Sequence, residues 1–157
     1  MATIRKSVEI DRPASVVWAL FEDVRRLPEF SPSTTEVRDA PARLTAPGQR
    51  FTQVVKKVGR SFESEWEVLA LDPGRGLTIE GSVGFGVTYR ITEEVEAISA
   101  ERSRATLTID YRLPFGPLGR VASRLGVDKL ADVESQQVLD GLRALLEGST
   151  DSAGAGR

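Results

Sequence analysis

Residues 10–30 read IDRPASVVWALFEDVRRLPEF, and this stretch decides the fold. Just before and into it, Ile4, Val8 and Ile10 alternate with polar neighbours, which predicts a half-buried strand. After Asp11, a candidate cap, apolar residues recur at helical spacing: Val17, Leu20, Phe21 and Val24. Pro28 then predicts a second short helix around residues 27–30. A strand followed at once by two short helices is an uncommon order, so it narrows the choice of fold.

In the middle of the chain polar and apolar residues alternate, as they do in an antiparallel sheet with one solvent-exposed face. Glu63, Glu65 and Glu67 cannot sit in a core, so the residues between them must face inward. Short connections, including a hairpin tip near Gly84 that could act as a lid, predict antiparallel pairing. The same period assigns to the inner face Phe51, Gln53, Val55, Lys57, Phe62, Ser64, Trp66, Val68, Leu77, Ile79, Gly81, Val87, Tyr89, Ile91, Ala105, Leu107, Ile109, Tyr111 and Leu113.

The last part of the chain predicts one long helix and a tail. Apolar residues from about Leu118 to Leu146 keep broadly to one side of a helix that must lie across the sheet. The small and polar residues 149–157 predict disorder. The length suits one domain, which we place at residues 1–148. The predicted order is β-α-α-β-β-β-β-β-β-α, an α+β fold.

Composition excludes several classes of function. The 21 basic and 23 acidic residues give a net charge of -2, so no global field favours nucleic acid as a partner. Histidine and cysteine are both absent, which removes the usual general base, thiol nucleophiles and most metal ligands. We therefore predict no metal and no cofactor. No segment has the length and apolar character of a signal peptide or a membrane span, so we expect a cytoplasmic protein without membrane insertion.

Five stretches of the chain resemble the START-like superfamily, also called the helix-grip fold. They are VEIDRPASVVWALFEDVRRLPEFSP, GQRFTQ, FESEWEVLALDPGRGL, LPFGPLGR and the helix end LDGLRALLE. Within this superfamily the chain is similar to the bacterial polyketide cyclase/dehydrase and lipid-transport group, over roughly residues 4–148. The resemblance implies a strongly curved antiparallel sheet that grips the last helix, with a cavity between them for an apolar small molecule. The stretches are signatures of a scaffold and not catalytic motifs.

Polar residues on the inner face are the candidate ligand contacts. A buried polar group needs a partner from the protein, from water or from a ligand. Trp66 can either wall a cavity or fill the core, and Lys57 can meet a carboxylate or extend to the surface. Glu93, in contrast, is assigned with neighbouring glutamates to a solvated surface that offsets the late arginines. The candidate ligand-binding residues are Gln53, Ser64, Trp66, Tyr89, Tyr111 and, on the last helix, Gln137.

Three functions remain open on the sequence. The first is binding or transport of a hydrophobic or amphipathic small molecule, such as a polyketide, a lipid or an isoprenoid, beneath the last helix. The second, which the resemblance also implies, is a polyketide cyclase or aromatase in which tyrosine, serine and Gln53 polarise carbonyl groups. The third is a protein-interaction module, although the three glutamates disfavour an apolar interface on the outer face. A monomer and a homodimer formed through an edge strand are both compatible with the sequence.

Overall fold

The computed structural model describes residues 2–57, 59–82, 86–113 and 117–155. The element order within these ranges confirms the predicted α+β architecture, with seven strands, two helices and a short 3-10 helix. The elements are β1 (Ala2–Ile10), α1 (Ala14–Glu22), the 3-10 helix (Val24–Glu29), β2 (Thr34–Arg38), β3 (Arg50–Lys57), β4 (Arg60–Asp72), β5 (Gly76–Ser82), β6 (Thr88–Ser99), β7 (Arg102–Arg112) and α2 (Pro117–Ala155).

All seven strands form one antiparallel sheet in the order β1-β7-β6-β5-β4-β3-β2. Strands β2 to β7 follow one another as neighbours, as their short connections predict. Strand β1 instead pairs with β7, with Ile4 opposite Ile109 and Ile10 opposite Ser103. The first strand therefore lies beside the last one, and β1 and β2 form the two edges of the sheet.

The inner face of the sheet is the one that the glutamates predict. Ser64, Trp66 and Val68 are buried, whereas Glu63 and Glu65 are exposed. On the outer face Glu63 forms an ion pair with Arg38 of β2, and Glu67 forms one with Arg50 of β3, so basic residues of nearby strands partly balance the glutamates. Because β4 is paired in a defined register, its inward-facing residues determine which alternate residues of the other strands face inward.

Helix α1 packs its apolar face on strands β6 and β7. The side chains of Val17, Trp18, Leu20 and Phe21 are buried in this contact. The prediction that Asp11 caps this helix is wrong, because the N-cap residue is Pro13 and no side chain caps it. Asp11 lies two residues too early, where its carboxylate forms an ion pair with Arg102 at 3.2 Å.

Helix α2 crosses the inner face and contacts β1 most extensively. Its buried side chains come at helical spacing and include Ala131, Ser135, Leu139, Leu142 and Leu146. Gly141 allows a close approach to the 3-10 helix, because an added Cβ there would collide with the carbonyl oxygen of Phe30. The structure continues α2 to Ala155, where we predicted a disordered tail from Ser149. The domain boundary at Gly148 remains a prediction.

Two parts of the predicted pattern fall outside the described residues. They are the tip of the hairpin, with Gly84 and the proposed lid, and residues 114–116 between β7 and α2. Within the described ranges, no helix is both long enough and apolar enough to cross a membrane.

Candidate functional site

A cavity of about 120 Å³ lies between the inner face of the sheet and α2. Its walls come from five strands, from α2, and from the 3-10 helix and the loop after it. Most of the lining is apolar, with a few polar side chains among it. The lining residues include Ser31, Gln53, Lys57, Trp66, Tyr89, Ile91, Glu93, Leu107, Ala131, Glu134, Ser135 and Val138. The space is smaller than the roughly 300–1,000 Å³ of sites for drug-sized ligands, so it suits a small molecule as it stands.

Trp66 lines the cavity from the middle of β4. Gly81 lies directly opposite on β5, and a Cβ added there would come within 2.7 Å of the indole Cδ2. The indole therefore lies against the bare backbone of β5, a position that only glycine leaves open. Of the two alternatives left by the sequence, walling a cavity or filling the core, Trp66 does both: it is buried, and part of it faces the cavity.

Ser64 supports Trp66 rather than lining the cavity. The indole Nε1 of Trp66 donates a hydrogen bond to the Ser64 hydroxyl oxygen at 2.9 Å. The Ser64 hydroxyl in turn donates to the backbone carbonyl of Gln53 at 3.4 Å. The buried serine is thus satisfied by protein groups, and it is absent from the cavity lining.

Gln53 lines the cavity and is held in place by a chain of polar contacts. Its Nε2 donates to the hydroxyl of Thr34 at 2.7 Å. The hydroxyl of Thr34 also lies 2.9 Å from that of Ser31, and both residues are buried. These contacts fix the side-chain amide on one wall of the cavity.

The two predicted tyrosines have different surroundings. Tyr89 lines the cavity, and burial raises the pKa of its phenol, with a smaller contribution from the charge of Glu134. Tyr111 is buried beside Val87 and Leu113, with its ring centroid 6.1 Å from that of Tyr89. It supports Tyr89 from behind and is not part of the lining.

Gln137 lies on the exposed side of α2, so the prediction that it faces inward is wrong. The residues of this turn that meet the cavity are Glu134, Ser135 and Val138. A long helix with weak amphipathic contrast does not fix its rotation to within one residue, which explains the error.

A charged pair links the sheet to the helix at the cavity. The Nζ of Lys57 on β3 lies 2.6 Å from a carboxylate oxygen of Glu134 on α2. Both side chains line the cavity and are about one-quarter exposed, at 24% and 29%. The carboxylate that Lys57 meets is therefore one from the protein itself.

Glu93 is the functional candidate that the sequence analysis missed. It lies on β6 in the phase of Tyr89 and Ile91, and it lines the cavity. Burial raises the pKa of its carboxyl group to about 8. The signal was present in the sequence, because the period of two that places Tyr89 inward also places Glu93 inward. Grouping the residue with its exposed neighbour Glu94 obscured that signal.

The site offers hydrogen-bonding groups in an apolar space. Gln53, Tyr89 and Glu93 present an amide, a phenol and a carboxyl group to the same cavity. In the described part of the chain, no group of three or more acidic residues is arranged to hold a metal ion. Such a site can bind an apolar molecule and orient its oxygen atoms.

Comparison with known proteins gives this architecture a family. The family model for polyketide cyclase/dehydrase and lipid transport matches residues 1–147. The chain belongs to this family. A relative from Mycobacterium tuberculosis, the uncharacterized protein Rv0088, is 33% identical over 111 residues, which are 69% of this chain and 47% of the relative. The chain thus spans about half the length of that relative.

Solved structures support the fold of this family member. The Zhui aromatase/cyclase from Streptomyces sp. R1128 has a TM-score of 0.82 at 18% identity, with 98% of each chain covered. A START superfamily protein from Mycobacterium smegmatis has a TM-score of 0.72 at 14% identity, covering 93% of this chain and 97% of that one. At these identities the likeness establishes the shared helix-grip fold and nothing further about activity.

Proposed function

We propose that this protein binds a hydrophobic or amphipathic small molecule in the cavity between the sheet and α2. The observation that carries the proposal is the cavity itself, which has a mostly apolar lining that includes the amide of Gln53, the phenol of Tyr89 and the carboxyl group of Glu93. Family membership supports it, since the family model is described by polyketide cyclisation, dehydration and lipid transport. A ligand much larger than one ring would need α2 or lining side chains to move, because the space is about 120 Å³.

Native mass spectrometry of freshly purified protein is the first test of this proposal. A bound apolar molecule, released on denaturation and identified, would support the proposal and give the chemical class of the ligand. A second test fills the cavity in Val138→Phe, because Val138 lines it. The matched control is Val133→Phe, on the same helix but 44% exposed. The lining variant should weaken uptake of the released molecule and the control should not; equal uptake by both would contradict the proposal.

The second candidate function is cyclisation of a polyketide, and the arrangement of Tyr89 and Glu93 favours it. Both side chains face the mostly apolar cavity, where proton donors would polarise the carbonyl groups of a folded poly-ketone. Of the residues first considered for this role, Ser64 is engaged by Trp66, and Tyr111 lies outside the lining. A short poly-β-ketone thioester is the substrate to test. A product distribution that matches the spontaneous one, and does not change in Tyr89→Phe, would argue against cyclase activity.

A further inference from the structure

Glu93 is surrounded by apolar residues on all four sides within the sheet. Directly opposite it, Leu77 on β5 and Leu107 on β7 are both buried. Along β6 the neighbours on the same face are Ile91 and Val95. Glu93 itself is half-buried. A carboxyl group with four apolar neighbours loses part of its hydration without gaining a partner, which disfavours its charged form.

Among the described residues, none forms a hydrogen bond or an ion pair with the carboxyl group of Glu93. Among the described residues, the other titratable groups that line the cavity are Tyr89 on β6, Lys57 on β3 and Glu134 on α2. Lys57 is engaged by Glu134 at 2.6 Å, so it does not neutralise a second carboxylate. Burial alone raises the pKa of Glu93 to about 8, and at neutral pH the group is mostly a neutral acid.

We propose that Glu93 is the residue that selects the ligand: its neutral carboxylic acid donates a hydrogen bond to an uncharged oxygen, such as that of a ketone, on an apolar molecule in the cavity. This inference rests on the proposed function. An anionic ligand would bring charge into an apolar space whose lysine is already paired, so carboxylates should be disfavoured. A cationic amine would require Glu93 to ionise beside four apolar neighbours.

The test compares two small probes of nearly the same shape, acetophenone and ethylbenzene, which differ in one ketone oxygen. Binding is followed by protein NMR titration at about pH 6, where Glu93 is protonated. The wild-type protein should prefer acetophenone by about two- to tenfold, the effect of one net hydrogen bond. At about pH 9.5 Glu93 is ionised and the preference should disappear.

Two variants at Glu93 and one beside it separate the alternatives. Glu93→Leu removes the donor and should abolish the preference while it still binds ethylbenzene. Glu93→Gln retains an N–H donor, so it should keep the preference at both pH values. The control is Glu94→Gln, which alters the exposed neighbour on the other face of β6 and should behave as the wild-type protein does.

Three results would overturn the inference. The first is a ketone preference that persists in Glu93→Leu. The second is tighter binding of 1-phenylethylamine than of acetophenone by the wild-type protein, which would assign Glu93 to a cation. The third is binding of both probes with equal affinity at about pH 6, which leaves the cavity function intact. If neither probe binds to any variant, the proposed binding function of the cavity fails together with the inference. Equal binding of both probes, in contrast, refutes only the inference about Glu93.

Discussion

The indole of Trp66 depends on two small neighbours. Ser64 accepts its N–H, and Gly81 leaves room for its ring on the adjacent strand. A buried indole N–H without an acceptor destabilises the folded state by its full desolvation free energy, which exceeds the net stabilisation from a satisfied hydrogen bond. The wall of the cavity is therefore sensitive to residues that do not touch the cavity.

Ser64→Ala should destabilise the protein by about 1–3 kcal/mol, because it leaves the Trp66 N–H buried and unpaired. Urea denaturation followed by tryptophan fluorescence measures this loss. Ser61→Ala, at an exposed position of the same strand, is the control and should change stability by less than about 0.5 kcal/mol. Equal stability of Ser64→Ala and the wild-type protein would show that another group accepts the bond.

Among the elements, α2 depends on close backbone contact and on ion pairs for its position. Gly141 meets the carbonyl of Phe30, and two lysines of the sheet reach acidic residues of the helix. The pairs are Lys57 with Glu134, and Lys6 on β1 with Asp132 at 2.9 Å. The helix is thus tied to the sheet from two different strands, and each tie can be tested separately.

Gly141→Ala should destabilise the protein by about 1–3 kcal/mol, because the added methyl group pushes α2 away from the 3-10 helix. Thermal and urea unfolding measure the effect. Gly126→Ala is the matched control on the same helix, since a Cβ there meets no atom within 4 Å. Alanine at that position should stabilise by about 0.5–1 kcal/mol through its better helix propensity. Changes of the same sign in both variants would contradict the close contact.

The Lys57–Glu134 pair should contribute more to stability than the Lys6–Asp132 pair. In the second pair Asp132 is 54% exposed, so solvent screens it more strongly. Double-mutant cycles with Lys57→Met and Glu134→Gln, and with Lys6→Met and Asp132→Asn, measure the two coupling energies. We expect about 0.5–1 kcal/mol for the first pair and less for the second. Both energies should fall in about 1 M salt, and couplings unaffected by salt would rule out a Coulombic origin.

At the scale of the whole molecule, Glu93 makes stability depend on pH. Its pKa is raised by burial to about 8, whereas in the unfolded chain the carboxyl group has its ordinary pKa of 4.5. Between these values the folded state keeps a proton that the unfolded state has lost, so stability falls as pH rises and levels off above about pH 8. Glu93→Gln should remove this fall and be more stable at about pH 8, by roughly 2–5 kcal/mol.

Urea denaturation from about pH 5 to pH 9 measures the free energy of unfolding of Glu93→Gln and of the wild-type protein. Their difference isolates the contribution of Glu93 from that of the other carboxyl groups. Glu94→Gln is the control and should run parallel to the wild-type protein. A difference that is constant across this range would mean that Glu93 has an ordinary pKa. Carbon-13 NMR of the Glu93 carboxyl group checks the pKa directly.

Strand phase and element order could be predicted from the sequence, but the contacts across the cavity could not. Glu63, Glu65 and Glu67 fix one strand, and short connections carry that register through the sheet. The rotation of α2 depends on packing against distant strands, so Gln137 was placed wrongly. Glu93 follows the period of the inner face but carries the charge typical of the outer face, and a half-buried carboxyl group is most informative where it interrupts an apolar pattern in this way.

The pairing of β1 with β7 sets the order in which the molecule can assemble. Some hundred positions separate partners such as Ile4 and Ile109, so closing this loop costs chain entropy before the contact gives any gain. During synthesis β2 to β6 can pair as soon as they emerge, but β1 must wait until β7 has been made. Until β7 is made, β6 is an unpaired edge of the sheet. Strand β7 then covers that edge, and β1 pairs with β7 to complete the surface on which α2 packs.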